Sequence, residues 1–284
     1  MPFVTPTEIF ARLPKEQKCA VGAFNAHNME YAEGIVKAAE LEKAPVIMMM
    51  SEASLQYAGM EMLTNICLTV AKASSVPVAV TLDHGKSPEC IDYCLAHGIS
   101  VMVDGSGFPF EENVAFTRTI VERAHKAGLS VEGELGSLTG TEDGEEERAA
   151  KLTNPEEALQ FAKLTGVDAL AISIGNCHGL YVGTPKIEID RLKKVKALVG
   201  ELPVVMHGGS DLPVDVSKAA IAEGIRKFNV GTDLKYAFSN QLRETLNQEP
   251  MPFQPWDNLS AARDAVCRLT RAKITLFGSN GTAW

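Results

Sequence analysis

Three histidines stand at the ends of apolar runs that lie far apart in the chain. His84 ends the run "VPVAVTLDH", His178 follows "DALAISIG" after two further residues, and His207 follows "LPVVM". A lone histidine is more often hydrogen-bonded or solvated than bound to a metal, but three at the same kind of position favour a shared site. Three neutral imidazoles leave a fourth zinc position open, where the ion can polarise a carbonyl or hold an oxyanion. The pattern therefore predicts a catalytic Zn²⁺ site at these histidines.

Other polar side chains also stand at or near the ends of apolar runs. Such groups are costly to bury unless something binds them, so their repeated placement indicates an active face. The remaining histidines, His27, His97 and His125, are expected to be structural. The polar residues at the run ends are Asn25, Ser51, Asp83, Asp104, Glu132, Glu134, Asn176 and Asn229.

Eight short apolar runs alternate with amphipathic stretches whose apolar residues recur every three or four positions. Several of these stretches end in glycine, as at Gly98, Gly128 and Gly166, where a helix can stop. The runs predict strands and the stretches predict helices. The runs are 19–25, 44–51, 76–84, 99–106, 129–136, 168–175, 202–209 and 225–232.

Strands that alternate with helices imply a parallel sheet with right-handed crossovers, and eight such units in a chain of 284 residues suit a closed barrel. We therefore predict an α/β fold, a (β/α)8 TIM barrel, that forms a single domain over residues 1–284 with a C-terminal helical extension after Glu249. An open doubly wound sheet is the alternative, weakened because no G-x-G-x-x-G motif follows the first strand. In such a barrel the carboxyl ends of the strands form the active face.

Small residues cluster after the last three runs, in "HGLY" at 178–181, "HGGSDL" at 207–212 and "NVGTDL" at 229–234. Each could be a tight turn, but two on neighbouring strands beside a metal site favour a phosphate, which backbone N–H groups bind. An acidic segment, "TGTEDGEEERAA" at 139–150, has the composition of a mobile loop over a site, and Glu142 lies on its site side. Most other carboxylates of that segment are expected to be solvated surface.

The charge balance excludes several classes of partner. Lys and Arg total 27 against 36 Asp and Glu, a net charge of −9 without a basic face, so neither nucleic acid nor an acidic membrane is expected as a partner. The N-terminus lacks a signal-peptide pattern and no apolar run is long enough to span a membrane, which predicts a cytoplasmic protein. Six cysteines without C-x-x-C spacing are expected to be reduced thiols.

Taken in order, several segments of the chain resemble the class II (metal-dependent) fructose-bisphosphate and tagatose-bisphosphate aldolase family. The similarity runs from about Phe24 to Leu246, and a weaker similarity is present in "LFGSNGTA" near the C-terminus. The family fold is the barrel already predicted. The segments are "FNAHN" (24–28), "LDHG" (82–85), "MVDGS" (102–106), "VEGELGSLTGTED" (131–143), "NCHGLY" (176–181), "VVMHGGSDL" (204–212) and "FNVGTDLKYAF" (228–238).

The resemblance implies a reaction and its principal residues. The reaction is the reversible retro-aldol cleavage of a ketose 1-phosphate or 1,6-bisphosphate to dihydroxyacetone phosphate and an aldehyde, through a zinc-stabilised enediolate. Zn²⁺ would be held by His84, His178 and His207. Asp83 matches the acid/base at the aldehyde oxygen, and Glu142 matches the loop glutamate that takes the C3 proton of the ketose phosphate.

The same resemblance implies the remaining site residues. Asn25 and Asn229 would hydrogen-bond the enediolate, and Asp104 and Glu134 match positions that hold an alternative or second metal. The family often holds a monovalent cation, Na⁺ or K⁺, beside the phosphate, and a homodimer or homotetramer is a family expectation. The phosphate cradle would comprise Ser51, Gly179, Gly208, Gly209, Ser210, Gly231 and Thr232.

The chain departs from the family pattern at three positions. Thr81 stands where a histidine is usual, and Thr139 replaces a usual glycine in the loop after the fifth strand. Trp256, in "QPWDNL", stands where bisphosphate aldolases of this family carry the arginine that grips the distal phosphate. An indole offers one neutral donor where a guanidinium offers a charged fork. We therefore expect a ketose 1-phosphate whose far end is unphosphorylated or is held by another cation such as Arg263.

Two other functions remain open from the sequence. A metal-dependent barrel hydrolase would use zinc to activate water, although such barrels commonly begin with His-x-His on the first strand and this chain has "AFNAHN" there. A non-catalytic barrel, such as an accessory subunit of an aldolase, would keep the fold without turnover. The complete set of Asp83, Glu142 and the three rim histidines argues against loss of the site.

Overall fold

The strands of this protein close into a barrel. The computed structural model describes residues 3–14, 16–140 and 151–284. Each strand pairs in parallel with the next in chain order, and the last pairs with the first, Val21 opposite Lys227 and Phe24 opposite Val230. The predicted (β/α)8 barrel is therefore confirmed, and the open sheet is wrong. The strands, β1 to β8, are Val21–Asn25, Val46–Ser51, Val78–Gly85, Ser100–Val103, Val131–Leu135, Ala169–Ile172, Val204–Met206 and Ile225–Val230.

Helices connect the strands and cover the outside of the barrel. Glycine follows three of them as predicted: Gly98, Gly128 and Gly166 have φ of 72°, 72° and 73°, a left-handed conformation that glycine adopts readily. Over the described ranges the helices, α1 to α11, are Pro6–Arg12, Met29–Glu42, Glu52–Ala58, Met60–Ala73, Pro88–Ala96, Phe110–Lys126, Pro155–Thr165, Ile189–Val199, Val214–Ala222, Thr232–Leu246 and Pro255–Phe277.

The predicted C-terminal extension is the long helix α11. It packs against α2 and α10, and Phe277 at its end stacks on Phe228 of β8 with ring centroids 4.7 Å apart. Both rings are buried in the apolar layer between the barrel and its helices. The extension is therefore confirmed, whereas the assignment of residues 1–284 to a single domain stays a prediction.

The N-terminal helix α1 is an element that the apolar pattern does not predict. Thr5 and Glu8 form a reciprocal capping box at its start, in which each side chain binds the backbone N–H of the other residue. The sequence "TPTE" carries that signal. Ile9 and Leu13 are buried against inward side chains of the first strands, such as Val21. The helix therefore closes the barrel at the amino ends of the strands, opposite the predicted site.

Strand alternation sends every second side chain into the barrel. Near the amino ends these inward side chains are apolar, as the cluster around Ile9 shows. Further along the strands they are polar and still buried, including Glu132 and Glu134 on β5 and Lys227 and Asn229 on β8. The polar half of the interior therefore lies below the predicted active face.

None of the helices in the described part of the chain is both long and apolar enough to cross a lipid bilayer. All six cysteines are free thiols, as expected. Cys177 is half-buried and the other five are buried.

Candidate active site

The three predicted metal ligands come together at the carboxyl ends of the strands. His84 lies in β3, His207 directly follows β7, and His178 lies in the loop after β6. Nε2 of His84 is 3.0 Å from Nδ1 of His207, and the ring centroid of His178 is 5.1 Å from that of His84. One nitrogen from each ring lies within 4.8 Å of the other two. Three imidazoles from distant parts of the chain thus face one another.

The backbone at His84 allows two adjacent residues to face the same site. Neighbouring residues in a strand normally point to opposite faces, and Asp83 points into the barrel. His84 has φ of +48°, which is uncommon for a residue with a side chain, and the β3–β4 register shifts between Leu82 and Gly85. Such irregularities re-aim a side chain. Asp83, the predicted acid, and His84, the predicted metal ligand, can therefore face one site.

Carboxylates hold the outer nitrogens of two of the rings. Nδ1 of His84 lies 3.0 Å from Oδ2 of Asp104 and 3.6 Å from Oε2 of Glu134. Nε2 of His207 lies 2.9 Å from Oε1 of Glu132. When each N–H points to a carboxylate, the other nitrogen of the ring turns its lone pair to the centre, as metal binding requires.

Burial and neighbouring charges set the protonation of the histidines. Burial lowers the pKa of His178 well below its ordinary value, and the nearby His84 adds to the effect. Burial also lowers the pKa of His207, although its hydrogen bond to Glu132 opposes the change. Burial alone would lower the pKa of His84, but the surrounding carboxylates, Asp104 first, raise it well above its ordinary value. Two rings are thus neutral, and the third holds a proton that a bound ion would displace.

A second group of ligand atoms shares His84. The ligand atoms of His84, Asp104 and Glu134 also lie within 4.8 Å of one another. Burial and the Asp104 charge raise the pKa of Glu134 to about 8, whereas for Asp104 the effect of burial is outweighed by His84 and Lys86, which lower its pKa. Oε2 of Glu134 is buried without a hydrogen-bond partner among the described residues. This geometry suits the alternative or second metal position, which stays a prediction.

The three-histidine donor set fits an ion of the zinc type. Tetrahedral zinc with bonds of about 2.0–2.1 Å to nitrogen needs ligand atoms roughly 3.3 Å apart. The spacing between His84 and His207, at 3.0 Å, is close to that value. Neutral imidazole is a ligand that suits zinc and its neighbours among the transition metals.

Two amides hold the carboxylate of Asp83. Nδ2 of Asn25 donates to Oδ2 at 2.8 Å, and Nδ2 of Asn229 donates to Oδ1 at 3.2 Å. All three side chains are buried, and the amide oxygens of Asn25 and Asn229 lack hydrogen-bond partners within the described ranges. A buried amide oxygen without a partner is costly, so these two atoms are suited to accept hydrogen bonds from a ligand.

The start of helix α10 lies beside the predicted phosphate loops. Gly231 is its N-cap residue and Thr232 its first residue, and the N–H groups that begin a helix commonly bind anions. Ser210 is tied to this start, because the N–H of Asp233 donates to Ser210 Oγ at 3.1 Å. The loops after β7 and β8 therefore meet, while their binding of phosphate stays a prediction.

Glycine allows the loops to approach closely. Gly208 has φ of +68°, and a Cβ atom there would lie 2.0 Å from the carbonyl oxygen of Cys177. The N–H of Gly209 already donates to the carbonyl of Asn229 at 2.8 Å. Gly209 is therefore better suited to make room for a phosphate than to donate a hydrogen bond to it. Gly179, in the β6 loop, has φ of +83°.

Ser51 ends β2 and caps helix α3. Its Oγ is 2.9 Å from Oγ of Ser54, which in turn lies 2.6 Å from Nδ1 of His27. His27, for which the sequence suggests no partner, therefore supports a predicted site residue. His97 and His125 are exposed and hydrogen-bonded, as expected of structural histidines.

Known proteins are similar to this chain in sequence and in fold. The family described as "Fructose-bisphosphate aldolase class-II" matches residues 5–282. The fructose-bisphosphate aldolase of Thermus caldophilus is 42% identical over 306 aligned residues, which cover 99% of this chain and 99% of that protein. The chain belongs to this family.

Two further relatives differ from each other in name. The sulfofructosephosphate aldolase of Alkalicoccus urumqiensis is 39% identical over 269 residues, 93% of this chain and 92% of that protein. The crystal structure of the YdjI aldolase from Escherichia coli K12 is similar with a TM-score of 0.88 and 33% identity, over 99% of this chain and 100% of that one. The class II family makes this chain a ketose-phosphate aldolase, a carbon–carbon lyase, and not the barrel hydrolase considered above.

In this aldolase the loop that carries Glu142 begins beside a predicted metal ligand. Glu142 itself lies outside the described residues. Thr139 forms a parallel bridge with Cys177, and the N–H of His178 donates to the Thr139 carbonyl at 2.9 Å. A Cβ atom on Gly140 would lie 2.1 Å from the carbonyl oxygen of His178. The base of the loop is therefore fixed to the backbone of His178.

The residues expected at the far end of the substrate lie on or near α11 of the aldolase. Trp256, in the first turn of this helix, is 66% exposed. Nη1 of Arg263 lies 2.8 Å from Oε2 of Glu33 on α2, so the cation suggested for the distal group already has an anionic partner. Thr81, which replaces a usual histidine, is buried on β3 two residues before Asp83.

The replacement Gly140→Ala should weaken metal binding by about tenfold or more, because the new methyl group must displace the backbone of His178. Gly183→Ala is the matched control: the φ values are +87° and +79°, so both replacements carry backbone strain, but no described atom lies within 4 Å of a Cβ on Gly183. Competition with a chromophoric chelator measures both affinities. Equal affinities would show that the loop base and the metal site are independent.

Proposed function

We propose that this aldolase cleaves a ketose 1-phosphate to dihydroxyacetone phosphate and an aldehyde, and that it runs the condensation in reverse. The observation that carries the proposal is the meeting of three imidazoles within 4.8 Å at the rim that also holds the buried Asp83 carboxylate. A metal-assisted aldol reaction needs both: the imidazoles to hold the ion and the carboxylate to transfer the proton.

A divalent ion, by its donor set Zn²⁺, would be held by His84, His178 and His207. When bound, such an ion supplies a Lewis acid for the ketose carbonyl and for the negative charge that develops as the carbon–carbon bond breaks. Asp104 and Glu132 hold the other nitrogens of two rings. This arrangement supports the proposal because it fixes which nitrogen of each ring faces the site.

Asp83 would remove the hydroxyl proton at C4 of the ketose as the aldehyde forms, and would return it during condensation. The amides of Asn25 and Asn229 each bind one of its oxygens, which restrains the rotation of the carboxylate. The buried oxygens of these amides would accept hydrogen bonds from substrate hydroxyl groups. Glu142 would exchange the proton at C3 of dihydroxyacetone phosphate.

The C1 phosphate would lie at the start of α10. Ser210, Gly231 and Thr232 would surround it, and the glycine-rich β6 and β7 loops and Ser51 would complete the cradle. A Na⁺ or K⁺ ion beside the phosphate, a homodimeric or homotetrameric state and a cytoplasmic location are further predictions of the same proposal.

Removal of the divalent ion by a chelator should abolish cleavage, and added Zn²⁺ or Co²⁺ should restore it. Borohydride in the presence of substrate should leave the activity intact, because a lysine Schiff base has no part in this chemistry. Coupled assay of the released dihydroxyacetone phosphate measures both effects. Trapping of substrate on a lysine would overturn the proposal.

The variant Asp83→Ala should lose about 10²- to 10⁴-fold in kcat, since it removes the general acid/base, while it keeps the metal. Asp190→Ala, which removes a carboxylate with 90% of its side chain exposed on α8, is the control and should match the parent. Steady-state kinetics and metal analysis of both proteins provide the test. Near-parental turnover of Asp83→Ala would mean that another group moves the proton.

The relatives include a fructose-bisphosphate aldolase and a sulfofructosephosphate aldolase, so membership of the family does not specify the group at the far end of the substrate. Because Trp256 offers no charge, ketose 1-phosphates should be cleaved at least as well as fructose or tagatose 1,6-bisphosphate. Trp256→Arg should then lower KM for the bisphosphates and leave KM for the 1-phosphates unchanged. Phe253→Arg, a substitution at a residue that is 76% exposed in the same segment, controls for added charge. A hundredfold preference of the parent enzyme for bisphosphates would contradict the expectation.

A further inference from the structure

A lysine is buried inside the barrel, below the site. Lys227, on β8, is 2% exposed, and it is among the largest fully buried side chains of the described residues. An ammonium group in such a place is costly unless an anion compensates it. None of the catalytic steps described above uses this lysine, so its position requires another explanation.

Lys227 is the first member of a line of polar contacts that leads to the metal site. Its Nζ lies 2.8 Å from Oε2 of Glu132. The second oxygen of that carboxylate, Oε1, lies 2.9 Å from Nε2 of His207. Nδ1 of His207 then faces Nε2 of His84 at 3.0 Å. The lysine thus occupies one oxygen of Glu132 and leaves the other for the histidine.

These contacts dictate which nitrogen of His207 carries the proton. A charged carboxylate only accepts hydrogen bonds, so Nε2 of His207 must donate and Nδ1 must present its lone pair toward His84. Glu132 can remain charged in this buried place because Lys227 compensates it. Without the ammonium group, Glu132 would lose the contact that holds one of its oxygens, and neither the carboxylate nor the His207 ring would be fixed in this orientation.

We propose that Lys227 is a positioning residue for the metal site: through Glu132 it fixes the tautomer and the ring orientation of His207, and thereby the affinity of the site for divalent ions. The inference rests on the proposed role of His207 as a metal ligand. Lys227 would neither contact the substrate nor transfer a proton.

A structural role alone predicts a different result. If Lys227 only filled the interior, its replacement by methionine, which has a similar length and no charge, would change stability but not the metal affinity of the folded protein. A second buried lysine provides the comparison. Lys273, on α11, is 9% exposed, and its Nζ lies 2.6 Å from Oδ2 of Asp233 and 3.0 Å from the Gly209 carbonyl oxygen. Neither of these partners is a rim histidine.

The test compares metal-free samples of the parent protein, Lys227→Met and Lys273→Met. Competition with a chromophoric chelator gives the Kd for Zn²⁺, and the visible absorption of bound Co²⁺ reports ligand geometry. Lys227→Met should bind Zn²⁺ about 10- to 100-fold more weakly and show an altered Co²⁺ spectrum. Lys273→Met should retain the parental Kd and spectrum, and Lys227→Arg, which keeps a buried cation, should recover part of the affinity.

The outcomes separate the inference from the proposed function. A parent protein that binds no divalent ion would overturn the proposed metal site itself. A parent that binds Zn²⁺, with a folded Lys227→Met variant of equal affinity and spectrum, would overturn only the role of Lys227. If Lys227→Met does not fold, Lys227→Gln carries the same test, because its neutral amide can still donate to Glu132 without compensating the charge, and it should also weaken Zn²⁺ binding.

Discussion

Compensation of buried charge is the constraint on which the candidate site depends. Between the barrel interior and the rim, cations, carboxylates and imidazoles follow one another at hydrogen-bond or ion-pair distances. Each carboxylate of this line has a cation beside it: Lys227 lies beside Glu132, and Lys86 and the protonated His84 lie beside Asp104. The line runs through Lys227, Glu132, His207, His84, Asp104 and Lys86. Such a balance lets ionisable groups stay in the interior without the large cost of an isolated charge.

The local backbone at the end of β3 is the second requirement. A regular strand would turn the side chain of His84 away from Asp83, and the rim would hold either the ligand or the acid. The left-handed φ of His84 and the register shift against β4 bring both to one side. Strained backbone of this kind persists where the surrounding structure over-determines it. Here the hydrogen bonds of Asp104 to His84 and of the two asparagines to Asp83 hold both side chains in place and so stabilise the strained backbone.

Much of this arrangement could be predicted from the sequence, because the polar and metal-binding side chains stand at the ends of the predicted strands. The eight runs predict the barrel, and the barrel rule places His84, His178 and His207 on one face. The partners inside the barrel could not be predicted in the same way. Alternation shows that Glu132 and Lys227 both point inward, but not that they meet, since β5 and β8 are not neighbours in the sheet. The helix α1 was also missed, because its signal is a short capping box and not an apolar period.

The order of the strands has a consequence for how the enzyme acquires its ion in a cell. A ribosome delivers the amino end first, so β8 emerges after the segments that bear all three rim imidazoles. In a growing polypeptide, His84, His178 and His207 are therefore all present before Lys227, the residue proposed to orient His207. On the proposed role of Lys227, an ion that bound during translation would meet a His207 ring whose tautomer is not yet fixed, and it would be held more weakly than after β8 has closed the barrel.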